Sequence, residues 1–187
     1  VQVAHALSAN ALDREFDYFT AVDDISGESG ASMIGDVEFN SSTYYKYFNI
    51  HWEQLVNNLG DDSETAAQAV VALIEAAALA QPSGKQNSFA AHNLPDFVMV
   101  EISDKNIPVS YANAFLKPAD NFNGSLMENS IKKLDGYAAQ LRTAYGLNGR
   151  RAYFAIPTVD LTDAENTRSL PALRQWVLAK IQEVGNG

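Results

Sequence analysis

Two segments of the chain alternate with period two. They are Val1–Leu7, "VQVAHAL", and the aromatic-rich Thr43–Ile50, "TYYKYFNI". Period-two alternation sends successive side chains to opposite faces, so both read as strands. Between them lies a long stretch, Ser8 to Asn40, rich in Gly, Ser and acidic residues. Within it, "ISGESGASMIGD" reads as the flexible end of an extended loop or hairpin. The shared alternation and the long insertion predict that the two strands are antiparallel neighbours.

Downstream the period lengthens. "HWEQLVNNLG" predicts a short helix closed by Gly60. Asp61, Asp62 and Ser63 offer N-caps for a helix reaching about Ala80, ahead of Pro82. Ala66, Ala69, Ala76 and Ala77 would form a small-residue face packed on a sheet. "PSGKQNSFAAHNLP" reads as a loop with a short strand. "DFVMVEIS" reads as a strand with Phe97, Met99 and Glu101 on one face. Met127, Ile131, Leu134, Ala138, Leu141 and Tyr145 step by 4, 3, 4, 3, 4, an amphipathic helix ended by Gly146. "RAYFAI" reads as a strand. Leu173, Trp176, Val177, Ile181 and Val184 mark a last helix, with Pro171 near its start and Gly185 after it. This order predicts one α+β domain over residues 1–187.

The net charge is −10 at pH 7, unevenly spread: residues 1–82 carry −11 and residues 83–187 carry +1. An acidic chain argues against generic nucleic-acid binding, because phosphate contacts need Lys and Arg. Cysteine is absent, which excludes disulfides and thiolate metal sites and fits a reducing, cytoplasmic setting. No apolar run is long enough to span a membrane, and no signal-peptide pattern is visible. Asn40-Ser41-Ser42 and Asn123-Gly124-Ser125 match the glycosylation pattern by chance. A strand-like start at Val1 without Met suggests that the natural start lies upstream.

The candidate chemistry is sparse. His5, His51 and His92 are the only histidines, and no pair has metal-ligand spacing. His5 alternates with apolar residues and reads as a core histidine. No Cys or G-x-S-x-G marks a nucleophile. "PSGKQNS" is close to a phosphate loop, but Leu79 stands where a Walker A needs Gly. It is a loop with one Lys and free amides, or a plain helix-to-strand turn. Tyr44, Tyr45, Tyr47 and Phe48 could stack bases, although most such clusters are core. "DREFDYFTAVDD", Asp13 to Asp24, sets Tyr18, Phe19 and Thr20 among Asp and Glu. It reads as an acidic surface loop with a hydrophobic staple, or as a binding element.

Together, "AHAL", "FDYFTAVDD", "GDVEFNSSTYYKYFNI", "QLVNNLG", "PSGKQNSFAAHNLPDFVMVEISD" and "SYANAFLKP" resemble the C-terminal half of the CasC family. That family is the repeated backbone subunit of the type I-E CRISPR surveillance complex, Cascade. The match runs from Val1 to about Pro118, and more loosely to "YGLNG". The resemblance implies a palm of ferredoxin-like, RRM-like fold, partial here because its first strand would lie before Val1. It implies a long thumb hairpin, residues 9–40, inserted between two palm strands. It also implies a non-catalytic subunit, without cofactors or metal, that oligomerises along CRISPR RNA in antiviral defence. Its partners would be that RNA, the target DNA strand, other copies of itself and other Cascade subunits, with no membrane.

By the same resemblance, Phe19 wedges against an RNA base, Tyr18 packs beside it and Thr20 contacts the strand. Lys85 and Lys117 match basic positions near the family's nucleic-acid groove. Most of the family's RNA-holding Lys and Arg would precede Val1, which partly meets the charge objection. Two other functions stay open: an RNA-processing endonuclease of the same broad superfamily, using His5, His51 or His92 as base, and a protein-interaction module without nucleic acid.

Overall fold

The computed structural model describes residues 1–22 and 31–185. In chain order it has β1 (Gln2–Val3), β2 (Leu7–Ser8), β3 (Glu15–Val22), β4 (Ala31–Phe39), β5 (Tyr44–Tyr45) and β6 (Phe48–Asn49). Then come α1 (Trp52–Asn58), α2 (Ser63–Leu79), the single-turn α3 (Gln86–Phe89), β7 (Phe97–Ile102) and a 3₁₀ turn at Ala112–Phe115. The chain closes with α4 (Leu126–Tyr145), β8 (Arg150–Ala155), β9 (Glu165–Asn166) and α5 (Leu170–Gly185). The architecture is mixed α+β, as the pattern order predicts.

The first and second alternating segments are antiparallel neighbours. β1 pairs with β6 and β2 with β5, and Ala4 N donates to Tyr47 O at 3.0 Å between the two short ladders. Each predicted strand is thus two short pieces. The insertion rises from this ribbon as the β3/β4 hairpin, in register from Glu15↔Phe39 to Val22↔Ala31. It is a two-stranded ladder of its own. The supposed flexible end is partly strand, because Ala31–Asp36 belongs to β4; Ile25–Gly30 lies outside the described residues.

The core forms around β7 and β8, which pair from Phe97↔Ala155 to Ile102↔Arg150. Strand alternation divides β8 between two helix layers. Tyr153 faces α4, where Ile131 buries against it. Ala152 and Phe154 face α5, against Leu173. Phe97 and Met99 meet Leu134 and Ala138 on the α4 side, and Glu101 shares their face, as the sequence predicts. β9, which the sequence reading missed, runs parallel to β8 with only two residues in register.

Asp62 caps α2, accepting from Thr65 N at 2.9 Å. The bond from the Thr65 hydroxyl, and then the one from its amide, hold the Asp62 carboxyl below its usual range. The buried face of α2 is not the expected alanine set. Ala69 and Ala76 are exposed, and Ala66, Ala67, Val70, Val71 and Ala78 are buried. The β-branched pair decides it: Val70 and Val71 pack with Val177 of α5 and with Val100 and Ile102. α2 therefore rests largely on another helix.

His5 is corrected too. It falls in the break between β1 and β2 and is exposed, because alternation without a covering layer does not bury a residue. Tyr45 and Tyr47 are half-buried, and Tyr44 and Phe48, on the other face, are exposed.

No hydrogen-bonded ladder joins the β5/β6 ribbon to β7. Side chains bridge them instead. Tyr45 Oη accepts from Tyr111 N at 3.0 Å, and Ile50 packs in the cluster that holds Val100.

An ionic network lies beneath α4. Glu101 accepts from the Tyr111 hydroxyl at 2.6 Å and pairs with Arg142 at 3.3 Å. Burial, then the bond to Glu101, pushes the Tyr111 hydroxyl well above the usual tyrosine range. Gly149 makes room: a Cβ there would lie 2.7 Å from Glu101 Oε1. Opposite Glu101 stands Arg151, whose side chain is fully buried. Its Nη2 donates to Thr162 O, and its Nη1 lies 3.8 Å from Asp135 Oδ1. Asp135 Oδ2 accepts from Thr162 N at 2.9 Å. Removing one member strands the other charge in the core. Asp135→Ala should therefore cost about 3–5 kcal/mol in urea unfolding. Replacing Asp135 and Arg151 together by Leu and Met should cost less than the single change. A double variant as unstable as the single one would show that the network stabilises the fold outright.

Candidate nucleic-acid interface

The β3/β4 hairpin cannot bury both faces, having no third layer, so its composition decides what each face offers. Period two sets Phe16 and Tyr18 on one face, opposite Glu38 and Asp36. Tyr18 is 72% exposed there. Phe19 projects from the other face, opposite Gly35, and is 43% exposed. Its ring lies over Gly35: a Cβ on that glycine would sit 2.6 Å from Phe19 Cζ. Tyr18 and Phe19 therefore project from opposite faces, because neighbours on a strand point apart. Thr20 has the backbone parity of Tyr18, within β3. The staple reading fails because this segment is a strand and opens no helix.

The hairpin is held at its root. Ser8 Oγ donates to Asn10 O at 2.8 Å, and Asn10 Oδ1 accepts from Thr43 N at 3.0 Å. Ala9 is buried, and its carbonyl accepts from Ala119 N at 2.8 Å. On the returning strand, Phe39 meets Phe89 with ring centroids 5.4 Å apart. Arg14 pairs with Glu38 at 3.5 Å, both well exposed.

These tethers bring both lysine-bearing loops to the root. Lys85 precedes α3 with a left-handed φ of 54°, in the turn that carries Phe89. The "PSGKQNS" segment is thus a turn into a single helical turn, not a strand. Lys117 stands two residues before Ala119 and lines an open cavity of about 380 Å³ with Lys132, Lys133 and Gln140. A second, of about 250 Å³, also touches Lys132 and Lys133 and adds Asp120 and Asn129. No carboxylate lies within ion-pair distance of these three lysines among the described residues. The aromatics are not gathered with the lysines. Phe19 is four residues up β3 from Glu15, about 13 Å at strand rise.

The CT1975-like protein family matches residues 1–181. This chain belongs to that family. Two solved structures, each described as a CRISPR RNA-guided surveillance complex and one of them as pre-nicking, match with TM-score 0.83 and 34% identity. Each alignment covers 96% of this chain, but 69% of one neighbour and 49% of the other. No curated protein matches it. The membership agrees with the CasC resemblance carried by the sequence blocks.

In this CT1975-like chain the histidines are dispersed. His51 caps α1, its Nδ1 accepting from Gln54 N at 3.2 Å, with Nε2 2.8 Å from Asn106 Nδ2. His92 is exposed. No group of His, Asp and Glu among the described residues could hold a metal ion. No described helix is long and apolar enough to cross a membrane. Sequence reasoning missed Lys132 and Lys133, which looked like ordinary polar positions of an amphipathic helix. It also missed Gly35, although an isolated glycine within a strand signals a close approach.

The Phe39–Phe89 contact yields a prediction. Phe89→Ala should loosen the hairpin root by about 0.5–1.5 kcal/mol, the range of an aromatic pair. Amide exchange should quicken in β3 and β4 and stay unchanged in β7 and β8. Unchanged exchange in the hairpin would show that the Asn10 contacts suffice to hold it.

Proposed function

We propose that this chain is a non-catalytic backbone subunit of a type I-E CRISPR surveillance complex. Its palm, of ferredoxin-like, RRM-like descent, holds CRISPR RNA, and the hairpin is the thumb that crosses that RNA. Copies oligomerise along the guide, which leaves bases free to pair with a target DNA strand. The observation that carries the reading is Phe19 and Tyr18, two aromatics exposed on a hairpin that belongs to no core. Family membership and the neighbours' titles support it.

The chemistry suits a guide of variable sequence. Stacking on an aromatic ring accepts any base, because every base has a π-face. Sequence is then read by base pairing, and the protein holds backbone and shape. Lys85 and Lys117 would meet phosphates at the hairpin root, with Lys132 and Lys133 extending the Lys117 patch. An endonuclease reading gains nothing from the histidines: His51 is engaged as a helix cap, and His5 and His92 are exposed and apart in sequence.

The test pairs stability with assembly, using the protein with its CRISPR RNA. Phe19→Ala should shift stability by no more than about 0.5 kcal/mol, as surface changes do. It should weaken RNA-dependent assembly, with roughly 1–3 kcal/mol lost per stacking contact and the loss repeated in each copy. Thermal melting and size-exclusion chromatography report the two. Unchanged assembly would remove Phe19 from the interface. Lys117→Ala, Lys132→Ala and Lys133→Ala should each lower the salt dependence of binding by about one counterion. An unchanged salt slope would mean that the patch faces solvent or protein.

A further inference from the structure

Gly35 has no conformational reason to be glycine. It lies inside β4, paired directly with Phe19, and its φ is not in the left-handed range. A glycine inside a strand forgoes packing and loses more chain entropy on folding than alanine would. Its neighbourhood supplies the reason. A Cβ at 35 would lie 2.6 Å from Phe19 Cζ, 2.9 Å from Cε1 and 3.2 Å from Cε2. The free end of the Phe19 ring therefore occupies the space that any other residue's Cβ would fill. Rings commonly cover a cross-strand glycine in this way.

We propose that Gly35 is a positioning residue: it seats the Phe19 ring against the hairpin backbone, so that the ring meets a base in one fixed orientation. The proposal rests on the reading of Phe19 as a base-stacking residue. The ring is half-covered by its own hairpin, and the remainder of its surface stays open to a ligand. Backbone contact removes rotamer freedom before the ligand arrives, so less ordering is left for binding to accomplish.

The clash falls on the tip of a side chain that is 43% exposed. An added methyl would therefore swing the ring away and leave the β3/β4 ladder intact. The backbone at 35 accepts an L-residue, and replacing glycine restricts the unfolded chain. Gly35→Ala should thus preserve or slightly raise thermal stability while it misplaces the ring. A purely structural glycine would give the opposite pattern.

The experiment is a double-mutant cycle in the protein with CRISPR RNA, with affinity read by fluorescence anisotropy and each variant melted in parallel. Gly35→Ala should weaken RNA binding about fivefold, the low end of one stacking contact, at unchanged melting temperature. In the Phe19→Ala background the same change should have no further effect. If Phe19→Ala weakens binding and Gly35→Ala does not, Gly35 does not position the ring and the inference fails. An equal loss in both backgrounds would also overturn it, since the glycine would then act without Phe19. If Phe19→Ala itself binds as the unmutated protein does, the stacking reading fails and the positioning role goes with it. A nuclear magnetic resonance measurement stands independently of how the variants fold. The Gly35 Hα resonances should be shifted by the Phe19 ring current and should relax to ordinary strand values in Phe19→Leu. Unshifted resonances in the unmutated protein would refute the seating.

Discussion

A two-stranded ribbon in water is marginally stable by itself, because it has faces to bury and nothing to bury them against. The β3/β4 hairpin faces that constraint, and the surrounding structure answers it at the root. Asn10 ties the incoming strand to Thr43, the Ala9 carbonyl takes the amide of Ala119, and Phe39 rests on Phe89. Beyond these contacts, Phe16, Tyr18 and Phe19 are exposed on it.

The same root joins the hairpin to the rest of the fold. Ala119 follows the 3₁₀ turn that carries Ala114, and the Ala112–Phe115 turn packs on α4. Phe89 belongs to the turn after α2. The segments that carry Lys85 and Lys117, far apart in sequence, thereby both touch the root. Lys132 and Lys133 join the second of them from the first turns of α4. Net charge conceals this arrangement. The chain is −10 overall, yet the patch by the root has three lysines with no carboxylate at ion-pair distance among the described residues.

The gap between the β5/β6 ribbon and β7 belongs to the same logic. Paired strands would have locked ribbon and sheet together through the backbone. Here packing around Ile50 and the hydrogen bond from Tyr111 N to the Tyr45 hydroxyl connect them. The hairpin root thus sits on a ribbon whose position relative to the sheet is set by packing, with no ladder between them.

Periodicity and punctuation made much legible in the sequence alone: the two alternating segments as partners, α1, α4 and α5 by their apolar spacing, the ends at Gly60 and Gly146, and the shared face of Phe97, Met99 and Glu101. Those are local consequences of chain geometry. The blocks that resemble the CasC family carried the family itself, because ordered multi-residue matches are specific in a way that composition is not. What depends on distant partners was hidden. Ala69 and Ala76 looked like a packing face until Val70 and Val71 met α5. His5 alternated like a core residue but had no layer to cover it. Tyr18 and Phe19 looked like one aromatic pair, and strand geometry turned them to opposite faces. Gly35 read as loop flexibility, and only the register that sets it against Phe19 made it a seat for a ring. Sequence determined the elements, because a residue's neighbours along the chain fix its local backbone. Tertiary structure decided exposure and pairing, because these depend on residues tens of positions away.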